Sequence, residues 1–182
     1  MLENYKFLES DNVYLRPFIK EDSDFFKKWY NDKETRAKIG EVLPATEQEI
    51  EDVINRKNKN SVWFAIIRKS DNQIIGETGL LRMFEAWRTT DLTIIIPDTS
   101  CQGKGYGKET INIMMDYAFG YLNYNRIAIG VVGFNTNAIE FYKRVGFKQE
   151  GIQEQGYYYD YKYSDFIMMR ILKSEFMTLN NK

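Results

Sequence analysis

The sequence predicts a mixed α/β fold, in which helices flank both faces of a mostly antiparallel sheet of about seven strands. Apolar runs typical of strands alternate with segments whose apolar residues recur at helical spacing. A glycine-rich stretch separates one such run from a helical segment in the middle of the chain. The 182 residues, 43% hydrophobic and 15% aromatic, can build one sizeable core. We therefore expect a single domain over residues 1–182, with its core at about 11–172.

The N-terminal third is predicted to hold one strand and two helices. The strand covers Val13–Phe18 and ends at its Arg-Pro pair, because proline donates no backbone hydrogen bond. Asp22 or Ser23 can cap the first helix. The second runs from about Thr46 to about Lys57, where Thr46 and Glu49 have the spacing of a capping box.

The rest of the chain is predicted to alternate between strands and helices. The polar turn at residues 69–72 joins two strands into a hairpin. One helix follows the glycine-rich stretch, another opens at Asn135 and stops at Gly146, and a short helical tail ends the chain. The strands are expected at Ser61–Arg68, Ile74 to about Phe84, Leu92–Ile96, Arg126–Val132, Phe147–Gln155 and about Tyr157–Leu172.

Composition excludes several classes of function. The chain has no histidine, which removes Ser-His-Asp and Cys-His catalysis and histidine metal sites. Its single cysteine, Cys101, excludes an intrachain disulfide, and we expect no metal. The net charge of −1 gives no reason to expect nucleic-acid binding, because proteins that bind nucleic acid usually carry a basic face. No apolar run is long enough to span a membrane and no signal peptide is visible, so we expect a cytoplasmic protein.

The stretch from Cys101 to Glu109 has the composition of a phosphate cradle. Three glycines at alternate positions let the backbone approach a ligand, and the first amides of the following helix carry its positive dipole end. A Walker loop is excluded because Lys108 is followed by Glu109 rather than by Ser or Thr. The glycine spacing also fails the dinucleotide fingerprint. The pattern that fits is Gln/Arg-x-x-Gly-x-Gly/Ala, met by Gln102, Gly105 and Gly107.

This pattern resembles the acetyl-CoA pyrophosphate loop of the GNAT superfamily of N-acetyltransferases. A second motif, Asn135-x-x-Ala138-x-x-Phe141-Tyr142-x-x-x-Gly146-Phe147, is similar to the superfamily's downstream motif. The ending, with Gly146 to Gly151, a tyrosine-rich hairpin and Asp165 to Met169, resembles the branch of spermidine acetyltransferases and ribosomal-protein N-terminal acetyltransferases. The resemblance covers about residues 11–172 and implies a GNAT fold.

The resemblance implies direct transfer of an acetyl group from acetyl-CoA to an amine in a ternary complex. Tyr142 is the expected general acid for the leaving thiolate. Glu77, Asp91, Glu85 or a water is the expected base, and the resemblance would place an acidic residue at Gly79. The expected cofactor-binding residues are Ile94, Ile95, Ile96, Gln102, Gly103, Lys104, Gly105, Tyr106, Gly107, Lys108, Asn135, Asn137, Ala138 and Tyr142.

The acceptor stays open between a polyamine, a protein N-terminus and an antibiotic amine. Residues 21–52 carry ten acidic against five basic side chains, which favours a cationic amine. The tyrosines within residues 157–163 are expected to pack the sheet and to form a substrate surface or a homodimer contact. The alternative function is a non-catalytic acetyl-CoA sensor or interaction module.

Overall fold

A computed structural model of the chain describes residues 5–55 and 58–181, and all structural statements concern these residues. The strands are β1 Leu8–Glu9, β2 Val13–Arg16, β3 Val62–Arg68, β4 Gln73–Phe84, β5 Thr89–Ile95, β6 Arg126–Val132, β7 Lys148–Tyr159 and β8 Lys162–Leu172. The α-helices are α1 Ser23–Tyr30, α2 Lys33–Ile39, α3 Glu47–Ile54, α4 Tyr106–Asp116, α5 Thr136–Arg144 and α6 Lys173–Leu179.

The strands follow the order β1-β2-β3-β4-β5-β6-β8-β7 in one sheet. Strands β1 to β4 pair antiparallel in sequence, as do β6 with β8 and β8 with β7, whereas β5 and β6 run parallel. The predicted mixed, mostly antiparallel class is confirmed. The count is eight rather than about seven because β1, a two-residue strand, is too short to produce a periodic pattern.

The chain divides into two compact units. The first contains the described parts of residues 1–80 and 93–114. Its core is built by β2, by the consecutive buried residues 64–67 of β3 and by the apolar stripes of its helices. Fully buried members are Val13, Leu15, Phe26, Ile50, Ile66, Ile67, Ile111 and Met114.

The second unit contains the described parts of residues 81–92 and 115–182. The start of β5 pairs with β6 through Thr89–Asp91, and β8 lies between β6 and β7. The core of the second unit includes the rings of Phe119 and Phe176, whose centroids are 5.3 Å apart. The helix that begins as α4 ends in a π-helical turn at Tyr117–Tyr121, after which the chain enters β6.

Two predicted elements differ from the structure in the N-terminal third. Asp22 does not cap α1 with its side chain, because both carboxylate oxygens accept hydrogen bonds from Arg16 at 2.8 Å in a buried ion pair. Helix α2 was not predicted. The helix predicted to reach Lys57 ends at Ile54, and Lys57 lies outside the described residues. Its predicted capping box is confirmed, since Thr46 Oγ1 accepts from the Glu49 amide.

The last predicted strands meet at a different turn. We expected a break near Gly156, but β7 continues to Tyr159, and the reversal lies at Asp160 and Tyr161, which adopt positive φ values of 50° and 63°. The predicted C-terminal helix is confirmed as α6. No helix within residues 5–55 and 58–181 is long and apolar enough to cross a membrane.

Candidate active site

The glycine-rich loop between β5 and α4 adopts a conformation that its glycines make possible. Gly103 and Gly105 have φ values of +72° and +88°, in the left-handed region that disfavours side chains. A Cβ atom placed on Gly103 would meet nothing within 4 Å. One placed on Gly105 would lie 4.0 Å from a carboxylate oxygen of Glu109 and no closer to any other group. The loop backbone is therefore open for a ligand to approach.

The backbone amides of this loop are available to an anion. Among the described residues, the amides of positions 103–108 donate no hydrogen bond, and the first amide to do so is that of Glu109, to the carbonyl of Gly105 at 3.0 Å. Because α4 is 11 residues long, its N-terminus adds a positive dipole end to these amides. A run of free amides at a helix N-terminus fits the diphosphate of acetyl-CoA.

Gln102 donates two hydrogen bonds within the segment that leads into the loop. Its amide donates to the carbonyl of Thr99 at 3.1 Å, and its side-chain amide donates to the carbonyl of Ile96 at 3.4 Å. These bonds fix the path of the chain between the end of β5 and the glycines. Gln102 therefore shapes the predicted cradle, whereas the free amides begin at Gly103.

A second group of polar residues holds the start of α4. Glu109, in its first turn, accepts hydrogen bonds from the Ser10 hydroxyl at 2.5 Å, the Asn12 amide at 2.9 Å and the Asn12 side chain at 2.7 Å. Burial acts to raise the pKa of Glu109, but these hydrogen bonds outweigh it and hold the pKa below its usual range. The carboxylate is therefore charged at neutral pH.

The predicted pantetheine edge, residues Ile94–Ile96, lies at the end of β5 and is half-buried. Here β4 approaches β5 so closely that a Cβ atom on Gly76 would stand 2.3 Å from the carbonyl oxygen of Ile95. The Thr78 hydroxyl donates to the carbonyl of Thr93 at 2.7 Å. The role of this edge in cofactor binding stays a prediction.

Glu77 is a buried carboxylate on β4, with 1% of its surface exposed. The Tyr30 hydroxyl, at the end of α1, donates to its Oε1 at 2.6 Å. The Tyr30 ring packs edge-on against Phe26, with centroids 5.5 Å apart, and Phe26 is fully buried. Both the carboxylate and the phenol that orients it are thus held in place by the core.

Gly79, where the resemblance implied an acidic residue, has no room for a side chain. A Cβ atom there would lie 2.8 Å from the ring of Trp63 and 2.7 Å from the carbonyl oxygen of Val62. Side chains two residues apart on a strand face the same side of the sheet. Glu77 therefore places a carboxylate on the same face of β4 as Gly79, where position 79 itself has no room for one.

Asp91, on β5, forms an ion pair with Arg82. Both residues lie in the second unit, and the Arg82 side chain is exposed. The Asp91 carboxylate is thus engaged by a guanidinium, whereas the Glu77 carboxylate accepts from an uncharged phenol. Of the three carboxylates predicted as bases, Asp91 has less suitable surroundings than Glu77, and Glu85 is exposed in the turn that follows β4.

Helix α5 carries the downstream motif. Asn135 caps it, as predicted, through a side-chain oxygen that accepts from the Ala138 amide at 3.3 Å. Asn137 is exposed and Ala138 is half-buried. The helix ends as predicted before Gly146, whose φ is +102°.

Tyr142 lies on the buried side of α5, with 7% of its surface exposed. Its ring packs against Phe141 and Phe147, at centroid distances of 5.3 and 5.8 Å. Burial raises the pKa of its hydroxyl above the usual range, so the phenol is protonated at neutral pH. Its hydroxyl makes no hydrogen bond to any other described residue.

The structure thus brings Glu77, Ile94–Ile96 and the glycine loop into the first unit, and Asp91, Asn135 and Tyr142 into the second. Two residues, Tyr30 and Glu109, make contacts at these places that the sequence did not predict. Tyr30, whose hydroxyl donates to Glu77, is 47 residues away from it in the sequence. Glu109 is 97 residues from Asn12 and entered only in the test for a Walker loop. Contacts this distant leave no local sequence pattern.

Comparison with known proteins identifies the family. Residues 12–148 match the profile described as Acetyltransferase (GNAT) domain. A spermidine N(1)-acetyltransferase of Vibrio cholerae is 26% identical over 169 residues, which cover 92% of this chain and 97% of the relative. A probable N-acetyltransferase of Bacillus subtilis is 24% identical, over 92% of this chain and 98% of the relative.

Solved structures show the same fold. The Vibrio cholerae spermidine N-acetyltransferase in complex with CoA and spermine superposes with a TM-score of 0.85 and 25% identity, over 92% of this chain and 99% of that one. A GNAT acetyltransferase from Bacillus anthracis, at 19% identity and a TM-score of 0.80, supports the fold alone.

Proposed function

The chain belongs to the GNAT acetyltransferase family, and from this premise we propose that it transfers the acetyl group of acetyl-CoA directly to a primary amine of a polyamine. The observation that carries the proposal is the run of free amides at positions 103–108. Bound acetyl-CoA would supply a thioester whose carbonyl is open to attack by an amine. The protein must then hold the diphosphate, take a proton from the amine and stabilise the departing thiolate.

Binding is assigned to the loop and the end of β5. The amides from Gly103 to Lys108 hold the diphosphate, while the bonds of Gln102 to Thr99 and Ile96 fix the loop in shape. The lysines in the loop add positive charge. Backbone groups of Ile94–Ile96 are assigned to the pantetheine. On α5, Asn135, Asn137 and Ala138 are assigned cofactor contacts by the family motif.

Glu77 is our choice as general base, acting directly or through a water. It is a carboxylate fixed by Tyr30 within the core, and Asp91 is engaged by Arg82. A base adds about two to four powers of ten to the rate, and positioning of the two reactants supplies much of the rest.

Tyr142 is our choice as general acid. Its phenol is protonated at neutral pH because burial disfavours the phenolate. It donates a hydrogen bond to the sulfur that departs from the acyl group, which stabilises the thiolate as it forms. This assignment requires the hydroxyl and not the ring, which gives it a direct test.

Two observations favour a polyamine acceptor. Residues 21–52 carry twice as many acidic as basic side chains, which would attract a polycation. The relatives from Vibrio cholerae and Escherichia coli are spermidine N(1)-acetyltransferases. We further propose a cytoplasmic homodimer that uses the tyrosine-rich hairpin, where Tyr158, Tyr161 and Tyr163 are exposed.

A thiol-release assay tests the function. The purified chain is incubated with acetyl-CoA and, in separate reactions, spermidine, spermine, peptides with free N-termini and aminoglycosides. We expect turnover with spermidine or spermine to exceed that with the other acceptors at least tenfold. Preference for a peptide would overturn the choice of acceptor. Binding of acetyl-CoA without acetylation of any amine would favour the sensor.

A further inference from the structure

A negative charge lies beside the amides that we assign to the diphosphate. Glu109 occupies the first turn of α4, and a carboxylate oxygen stands 4.0 Å from the position of a Cβ atom on Gly105. Since a diphosphate is also an anion, an ionised carboxylate at this place repels the ligand that the cradle must hold. The position of this carboxylate therefore matters for affinity.

The carboxylate is held by the turn Ser10–Asn12, which joins β1 to β2. Three donors of this turn reach it: the Ser10 hydroxyl, the Asn12 amide and the Asn12 side chain, all within 3.0 Å. The donors direct both oxygens toward the turn and set N–H and O–H dipoles against the negative charge.

The turn is itself firmly placed. The Ser10 amide donates to the carbonyl of Val13, and the Lys69 amide donates to the carbonyl of Asn12, each at 2.9 Å. Lys69 also forms an ion pair with Glu9 at 2.9 Å. The donors to Glu109 are thus fixed before a ligand arrives.

We propose that the turn Ser10–Asn12 belongs to the cofactor-binding apparatus, because it holds the Glu109 carboxylate away from the amides of residues 103–108. Ser10 and Asn12 act as positioning residues through Glu109 and need not touch the cofactor. The inference rests on the proposed binding of acetyl-CoA by this loop. It assigns an electrostatic role to a segment almost one hundred residues distant in sequence.

The test is calorimetric titration with CoA. In the double variant Ser10→Ala/Asn12→Ala, the carboxylate loses both of its side-chain donors, and we expect the Kd for CoA to rise about tenfold. Addition of Glu109→Gln to the double variant should bring the Kd back to within about threefold of the wild-type value, because the repelling charge is gone.

A purely mechanical role predicts the opposite result. If the turn only supports α4, Glu109→Gln cannot restore affinity, and a triple variant as weak as the double variant would overturn the proposal. Should the double variant fail to fold, Ser10→Ala alone and Ser10→Ala/Glu109→Gln give the same comparison. The difference in Kd for CoA between the double variant, which keeps the Glu109 charge, and wild type should also become smaller as the salt concentration rises.

Tyr14→Phe is the matched control. Tyr14 lies on β2, just after the turn Ser10–Asn12. The variant removes one hydrogen bond, 3.0 Å long, from its hydroxyl to Asn72, and the CoA affinity should not change. If wild type itself does not bind CoA, the proposed function fails. If wild type binds CoA and the double variant binds it equally well, only the present inference fails.

Discussion

Glu77→Gln separates a catalytic from a structural role for the buried carboxylate. Glutamine has the same shape and keeps an oxygen that can accept from Tyr30, now 2.6 Å away, but it cannot take a proton. Without the charge, the hydrogen bond to Tyr30 becomes weaker, which destabilises the variant. The variant also no longer has to bury a charge, which stabilises it, so the two effects oppose each other. We expect the melting temperature to stay within about 3 °C, since about 1 kcal/mol shifts it by 2–4 °C in a domain of this size.

The catalytic effect should be far larger. Loss of a general base lowers kcat by about a hundredfold or more, which corresponds to about 2.7 kcal/mol in the barrier. The assay is steady-state thiol release with saturating acetyl-CoA, together with calorimetry of CoA binding, which should not change. A variant that keeps wild-type kcat would refute the base assignment.

Tyr30→Phe completes the experiment on this pair. It leaves the carboxylate but removes the hydroxyl that orients it, and a hydrogen bond to a charged group contributes about 1.5–3 kcal/mol. We expect a smaller loss in kcat than for Glu77→Gln and a larger loss in stability. The reverse order for both quantities would mean that the Tyr30 hydroxyl, and not Glu77, is the group that the reaction needs.

Three further predictions concern the other parts of the molecule. Tyr142→Phe should keep CoA affinity and lower kcat at least tenfold; unchanged turnover contradicts the acid assignment. Gly105→Glu, which puts a charged side chain where φ is +88°, should abolish CoA binding in calorimetry. Burial raises the pKa of Glu175, yet bonds from Lys148 and Arg170 lower it to about 2. The side chain is 20% exposed, so wild type should exceed Glu175→Gln in stability by at most about 3 kcal/mol above pH 4.5. That advantage should vanish as pH falls toward 2 in urea titrations.

Local patterns explain the elements that sequence analysis placed correctly. Strand β6 was predicted with its observed ends, since its nearly continuous apolar run is visible in the sequence itself. The cap at Asn135 and the end at Gly146 follow from chemistry within a few residues. The start of α4 directly after the glycines also follows from neighbouring residues, whereas the role of this loop in binding stays a prediction.

Helix α2 shows where such patterns fail. Residues Lys33–Ile39 have only two apolar side chains, so no stripe marks them as helical. The signals lie at the ends: Asp32 accepts from the Thr35 amide, and Gly40 closes the helix with φ of +84°. A search for caps before periodicity would have found this helix.

The position of the candidate base, Glu77, could not be predicted from the family resemblance alone. By the resemblance alone, the expected carboxylate belongs at position 79, where this chain has a glycine. The structure shows that Trp63 occupies the space beside Gly79, while Glu77 lies two residues earlier on the same face of β4. An acidic residue moved to position 79 would collide with the indole and with the carbonyl of Val62. Of positions 77 and 79, only position 77 has room for a carboxylate, and there the Tyr30 hydroxyl donates to it.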